Sequence, residues 1–197
     1  MTTFTPAQID EAAAAIRRGE IVAYPTETYY GLAVDALDPG ALHRLFELKG
    51  RGGEKVSALL VADLAMFEPL CAEFPERARI LVAAHWPGPL TLALPARMGL
   101  PPAIVHDGFV AARVSSHPLA QSLVVFAGRP ITATSANPAG APPARTAAEV
   151  RDHFGDHLGP GALHVLDGGQ TPGGAPSTLV RLQGDSVQVL RKGAIEV

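Results

Sequence analysis

Ile21-Val22-Ala23-Tyr24-Pro25-Thr26-Glu27-Thr28 is a short apolar run, stopped by a proline, that opens into three polar residues. Proline has no amide N–H with which to continue a ladder, so the run reads as a buried strand that ends at Pro25. Thr26, Glu27 and Thr28 are thereby delivered to a strand end, beside the core. Upstream, Thr5 and Pro6 suit the N-cap and first helical position, and Ile9, Ala12, Ala13 and Ile16 share one face until Gly19 stops the helix. Downstream, Gly40 to Leu48 reads as a second helix with Leu42, Leu45, Phe46 and Leu48 as its apolar set, and Lys49-Gly50-Arg51 follows it. A helix, a buried strand and a helix in succession point to an α/β chain.

The alternation continues to the end of the chain. Val56–Val61 and Leu90–Leu94 read as strands, with helical segments over Asp63–Cys71 and Pro75–His85 between them; Trp86-Pro87-Gly88-Pro89 terminates the latter. In the second half, strands are expected at Phe109–Val114, Pro130–Ala133, Leu163–Leu166, Ser177–Leu182 and Val187–Leu190, and helices at Pro118–Phe126 and Thr146–Phe154. The pattern implies a mixed sheet covered by helices in one domain over residues 1–197, with no internal repeat or low-complexity linker.

Composition narrows the function classes. Of 197 residues, 47% are apolar and 18% charged, and the single cysteine, Cys71, excludes a scaffold built on intramolecular disulfides and suits the cytoplasm. The start lacks a basic segment with an apolar core behind it, and no run of about 18 apolar residues occurs, so no membrane contact is expected. A net charge of −3 gives the chain no general attraction to nucleic acid, so any such contact must come from a local patch.

Several familiar chemistries are absent. Neither the Gly-x-Gly-x-x-Gly turn nor the Lys-Ser/Thr phosphate loop is present, and Gly168–Gly174 reads as a flexible loop. His153 and His157 lack a third ligand and read as a solvated helix end; Cys71 reads as a small core residue, and no Gly-x-Ser-x-Gly elbow occurs. Three polar clusters at element ends remain. Lys49, Arg51 and Lys55 put three cations within seven residues, a group able to hold a polyphosphate. Thr134-Ser135-Ala136-Asn137-Pro138 and Pro25-Thr26-Glu27-Thr28 offer hydroxyls and an amide to a small ligand.

Together these residues resemble the YrdC-like threonylcarbamoyl-adenylate synthase family. The resemblance is carried by Pro25–Leu32, Lys49-Gly50-Arg51, Pro87–Thr91, Ala112-Arg113-Val114, Ser135-Ala136-Asn137, Pro176–Val180 and Leu190–Gly193, in the family's order. It implies a twisted open α/β sandwich around a basic central cavity, and a reaction of L-threonine, bicarbonate and ATP that yields threonylcarbamoyl-AMP and pyrophosphate. The product would pass to the tRNA threonylcarbamoyl-transferase machinery that modifies adenosine 37. By the same resemblance Lys49 and Arg51 are catalytic; Lys55, Asn137, Arg145 and Arg191 contact ATP; and Thr28, Arg113, Ser135 and Ser177 contact threonine. Magnesium is expected on the ATP phosphates and not in a protein cage. Lys49 and Arg51, as long cations lining the cavity, are expected to add little to stability. Gly52 and Val56 depart from the family's usual Pro and Pro/Gly, and Leu60 and Val61 stand where some members carry a histidine. The stop at Val197 resembles the short form, without a C-terminal domain. Two other readings share the fold: an RNA-binding module, to which a weak tRNA contact would belong, and carbamoyl-phosphate relatives whose zinc-finger segments a single cysteine cannot supply.

Overall fold

Thr5 caps the first helix as its sequence requires. Its side chain accepts from the Gln8 N–H at 3.3 Å while Gln8 Oε1 accepts from the Thr5 N–H at 3.0 Å, a reciprocal box that satisfies two orphan donors. These details come from a computed structural model that describes residues 5–50, 58–159, 161–184 and 186–197.

Helix α1 (Pro6–Arg17) turns at Gly19, which adopts φ 80°, into β1 (Ile21–Pro25); a tight loop leads to β2 (Tyr30–Ala33), and α2 (Pro39–Leu48) follows. Then come β3 (Leu59–Leu60), α3 (Leu64–Phe67), α4 (Glu76–His85), β4 (Leu90–Pro95), β5 (Phe109–Arg113) and α5 (Pro118–Ala127). The last part holds β6 (Ile131–Thr132), β7 (Thr134–Ser135), α6 (Ala147–Phe154), β8 (Leu163–Val165), β9 (Thr178–Gln183) and β10 (Ser186–Arg191).

The strands are mixed in direction, as expected, but divide between two sheets. One has the order β7-β2-β1-β8 and the other β10-β9-β4-β5-β3-β6. The division comes from the Pro130–Ala133 stretch, expected as a single strand. Ile131 and Thr132 pair with β3, whereas Thr134 and Ser135 pair with β2, so the chain changes sheets at Ala133.

β1 is buried along its whole length, which explains its continuous apolar run. Ile21 and Ala23 join a core with Leu32, Leu45, Leu92 and Val110, while Val22 and Tyr24 face Ala13, Ile16, Leu119 and Leu123 of α1 and α5. Two cores on opposite faces thus fix the strand that leads to Thr26. Cys71 is buried as expected, and burial pushes its thiol up to about 12. Among the described residues, no helix is long and apolar enough to cross a membrane.

Candidate active site

The β1–β2 hairpin closes through threonine side chains. Pro25 pairs with Tyr30, leaving residues 26–29 as the turn, where Thr26 Oγ1 donates to the Tyr29 carbonyl at 2.7 Å and accepts from the Thr28 N–H at 3.2 Å. β7 lies beside β2 with Ser135 opposite Gly31, so the two polar clusters separated in sequence become neighbours. Gly31, opposite Tyr24 on β1, leaves room for its ring: a Cβ there would stand 3.0 Å from the Tyr24 ring, and Tyr24 is fully buried.

A cavity of about 470 Å³ opens at this junction. Thr28, Arg113, Ser135, Ser177 and Arg191 all line it, so half of the residues assigned by resemblance converge on one space. Arg113 arrives from the end of β5, and its guanidinium forms an ion pair with Glu27 of the hairpin. Glu27 also accepts from Ser115 Oγ. Burial lowers the Arg113 pKa from its ordinary value; Tyr24 opposes that shift, and the charge of Arg191 adds to it.

Arg191 is held at the end of β10 against the start of β9. It donates to the Ser177 carbonyl at 2.9 and 3.1 Å and to Ser177 Oγ at 3.1 Å, while Ser177 Oγ and Thr91 Oγ1 share a hydrogen bond of 2.7 Å. Burial lowers its pKa also. The tail returns across this point: Thr178 Oγ1 donates to the Ile195 carbonyl at 2.6 Å and accepts from the Gly193 N–H at 3.1 Å. A side chain at Gly193 would come within 2.2 Å of the Pro176 carbonyl, which accounts for glycine beside the arginine.

The remaining assigned residues stand elsewhere. Arg51 and Lys55 lie outside the described residues. Lys49, expected as a cation lining the cavity, is instead only 1% exposed and is not among the lining residues. Its ammonium donates to the Asn137 carbonyl at 2.8 Å and to the Ser135 carbonyl, because α2 ends directly behind that loop and the loop's carbonyls need donors. The expectation that Lys49 lines the cavity is therefore corrected, and with it the ground for expecting its removal to change stability little. Asn137 is also buried, and its Nδ2 donates to the Ala141 and Pro138 carbonyls at 2.6 and 3.1 Å while its Oδ1 accepts from Ser135 Oγ at 2.5 Å. Arg145 reaches the Thr171 and Pro172 carbonyls, at 3.3 and 3.0 Å. It thus braces Gly168–Gly174, which carries a buried Thr171 and accepts from Tyr30 Oη at the Gly169 carbonyl, 2.8 Å; the stretch has no helix or strand, as expected of a loop. Leu60 and Val61 are core residues.

Glu27 stands inside the Pro25–Leu32 motif, but the motif alone assigns it no role. The available signal was a lone carboxylate among hydroxyl residues at the end of a buried strand, a position that calls for a cation.

Residues 14–193 match the family model described as "Telomere recombination", that of Sua5, YciO and YrdC proteins. The chain is 39% identical over 186 residues to threonylcarbamoyl-AMP synthase of Pyrococcus abyssi and 38% identical over 190 residues to that of Bacillus subtilis. These matches cover 93% and 95% of the chain but only 53% and 54% of the relatives, so it spans about half their length. With threonylcarbamoyl-AMP synthase of Chromohalobacter salexigens it shares 40% identity over 189 residues, 95% of the chain and 98% of the relative. Among solved structures, P. abyssi Sua5 complexed with L-threonine superposes with a TM-score of 0.89 at 38% identity, over 97% of the chain and 55% of that protein. E. coli YciO shares the fold, with a TM-score of 0.81 at 24% identity over 98% of the chain and 93% of that protein.

Proposed function

Since the chain belongs to the Sua5/YciO/YrdC family, we propose that it joins L-threonine, bicarbonate and ATP into threonylcarbamoyl-AMP with release of pyrophosphate. The observation that carries this reading is the convergence of Arg113, Arg191 and three hydroxyl residues on one cavity. A cavity of this kind suits a reaction that gathers reactants more than one that needs a protein nucleophile.

The threonine carboxylate pairs with Arg113, and the hydroxyls of Thr28, Ser135 and Ser177 receive its polar atoms. The threonine ammonium loses a proton to solvent, and the free amine attacks the bicarbonate carbon: a C–N bond forms, a C–O bond breaks and water leaves. A carbamate oxygen then attacks the α-phosphorus of ATP, and the bond to the β-phosphate oxygen breaks to release pyrophosphate. Arg191, anchored on Ser177, faces the phosphate charge. Among the described residues no group of three His, Cys, Asp or Glu side chains is assembled to hold a metal; magnesium accompanies ATP as part of the substrate. The product serves the tRNA threonylcarbamoyl-transferase machinery.

The test is L-threonine binding by calorimetry to the protein and to Arg113→Lys, which keeps the charge but loses the two-point fork. A loss of about tenfold or more in threonine affinity is expected, with ATP affinity retained, since a charge-assisted contact contributes about 1.5–3 kcal/mol. Unchanged threonine binding would remove Arg113 from the site.

A further inference from the structure

Arg113 and Arg191 share a cavity but differ in charge balance. Arg113 Nη1 is paired with Glu27 Oε1, and Glu27 Oε2 accepts from Ser115 Oγ, so both carboxylate oxygens are engaged. Ser115 is 1% exposed and its Oγ also accepts from the His117 N–H at 3.2 Å, where α5 begins. Glu27 is thus part of a bracket built on the hairpin and the helix start. The partners of Arg191 are the neutral Ser177 carbonyl and hydroxyl, and among the described residues no carboxylate forms an ion pair with it.

We propose that Glu27 is a specificity-determining residue: it makes the Arg113 end of the cavity charge-balanced, fit for the carboxylate of a zwitterionic amino acid, and leaves Arg191 as the cationic end for phosphate. This rests on the threonine and ATP reading of the cavity. A fixed carboxylate in contact with Arg113 repels a multiply charged anion, and in a partly buried site that repulsion is weakly screened. A zwitterion brings no net charge, and its ammonium tolerates the Glu27 carboxylate. With Nη1 engaged, the Nε–Nη2 edge of Arg113 remains for a two-point contact with the incoming carboxylate. The geometry therefore sorts two anionic groups that two otherwise similar arginines would confuse.

The experiment is calorimetry with L-threonine and inorganic pyrophosphate, separately and together, on the protein and on Glu27→Gln, which keeps a hydrogen-bonding group beside Ser115 and removes the charge. In the unaltered protein, saturating pyrophosphate is expected to change threonine affinity less than about twofold. In Glu27→Gln, pyrophosphate affinity should rise about tenfold and the apparent threonine dissociation constant in its presence should rise at least about tenfold. Glu27→Asp, which keeps the charge but withdraws it from the guanidinium, should give intermediate competition and provides the test if Glu27→Gln fails to fold. A folded Glu27→Gln with independent binding of both ligands at unaltered affinities overturns the proposal, as does competition already present in the unaltered protein. Absence of threonine binding in the unaltered protein overturns the functional reading and this proposal with it.

Discussion

Replacing Lys49 by methionine keeps most of the aliphatic stem and deletes the ammonium. That group is buried at the end of α2 and donates to the Ser135 and Asn137 carbonyls, the second and fourth residues of the Thr134–Pro138 cluster. Hydrogen bonds from a charged donor contribute about 1.5–3 kcal/mol each, so the two amount to about 3–6 kcal/mol before desolvation of the ammonium is set against them. That offset leaves a net loss of about 2–4 kcal/mol, partly because the two carbonyls lose their donor in a dry setting. For a domain of this size each kcal/mol shifts the melting temperature by about 2–4 °C, so Lys49→Met should melt on the order of 10 °C lower. Thermal unfolding followed by circular dichroism measures it. Because Ser135 lines the cavity, threonine affinity should fall as well. A melting temperature within about 2 °C of the unaltered protein would show that the ammonium carries no structural weight, and the account of the Ser135–Asn137 loop would fail.

Three further outcomes are expected. Gly193→Ala forces a Cβ against the Pro176 backbone and should displace the tail that holds Arg191, costing about 1–3 kcal/mol of stability and weakening ATP binding; denaturant unfolding and ATP titration check it. Arg18 foremost, with His164 adding, holds the Glu20 carboxyl down to about 2 from an ordinary value of 4.5, so its stabilisation is complete above pH 4.5 and is lost as pH falls towards 2. Glu20→Gln should therefore narrow its stability deficit below pH 4.5 in urea titrations at graded pH, and a deficit independent of pH would contradict the assignment. Cys71, with its thiol pushed up to about 12 by burial, should resist iodoacetamide at pH 8 in the folded protein and react after unfolding, as mass spectrometry would show.

Local signals carried much of this architecture. The Thr5/Gln8 box, the Pro25 stop and the apolar periodicity of α2 and α5 each depend on neighbours in sequence, and each element appears where those signals lie. The transfer of the chain between sheets at Ala133 depends on pairing with β3 and β2, distant partners that short-range pattern does not encode. The site divides in the same way. Hydroxyls at strand ends were legible as ligand donors because strand ends reach solvent. Lys49 was not legible as a buried tie, since lysine is rarely buried and only the tertiary position of the Ser135–Asn137 carbonyls makes its burial favourable. Glu27 and Arg113, 86 residues apart, become a pair only once β1 and β5 are brought together.

If this cavity couples threonine and bicarbonate to cleavage of ATP, pyrophosphate release depends on both. The most direct measurement follows pyrophosphate release from ATP with L-threonine and bicarbonate supplied together and omitted in turn, alongside detection of threonylcarbamoyl-AMP. Release that requires both, and that falls at least about tenfold in Arg113→Lys, is the predicted result. Equal release without threonine, or threonine-dependent release unaffected by Arg113→Lys, would contradict it.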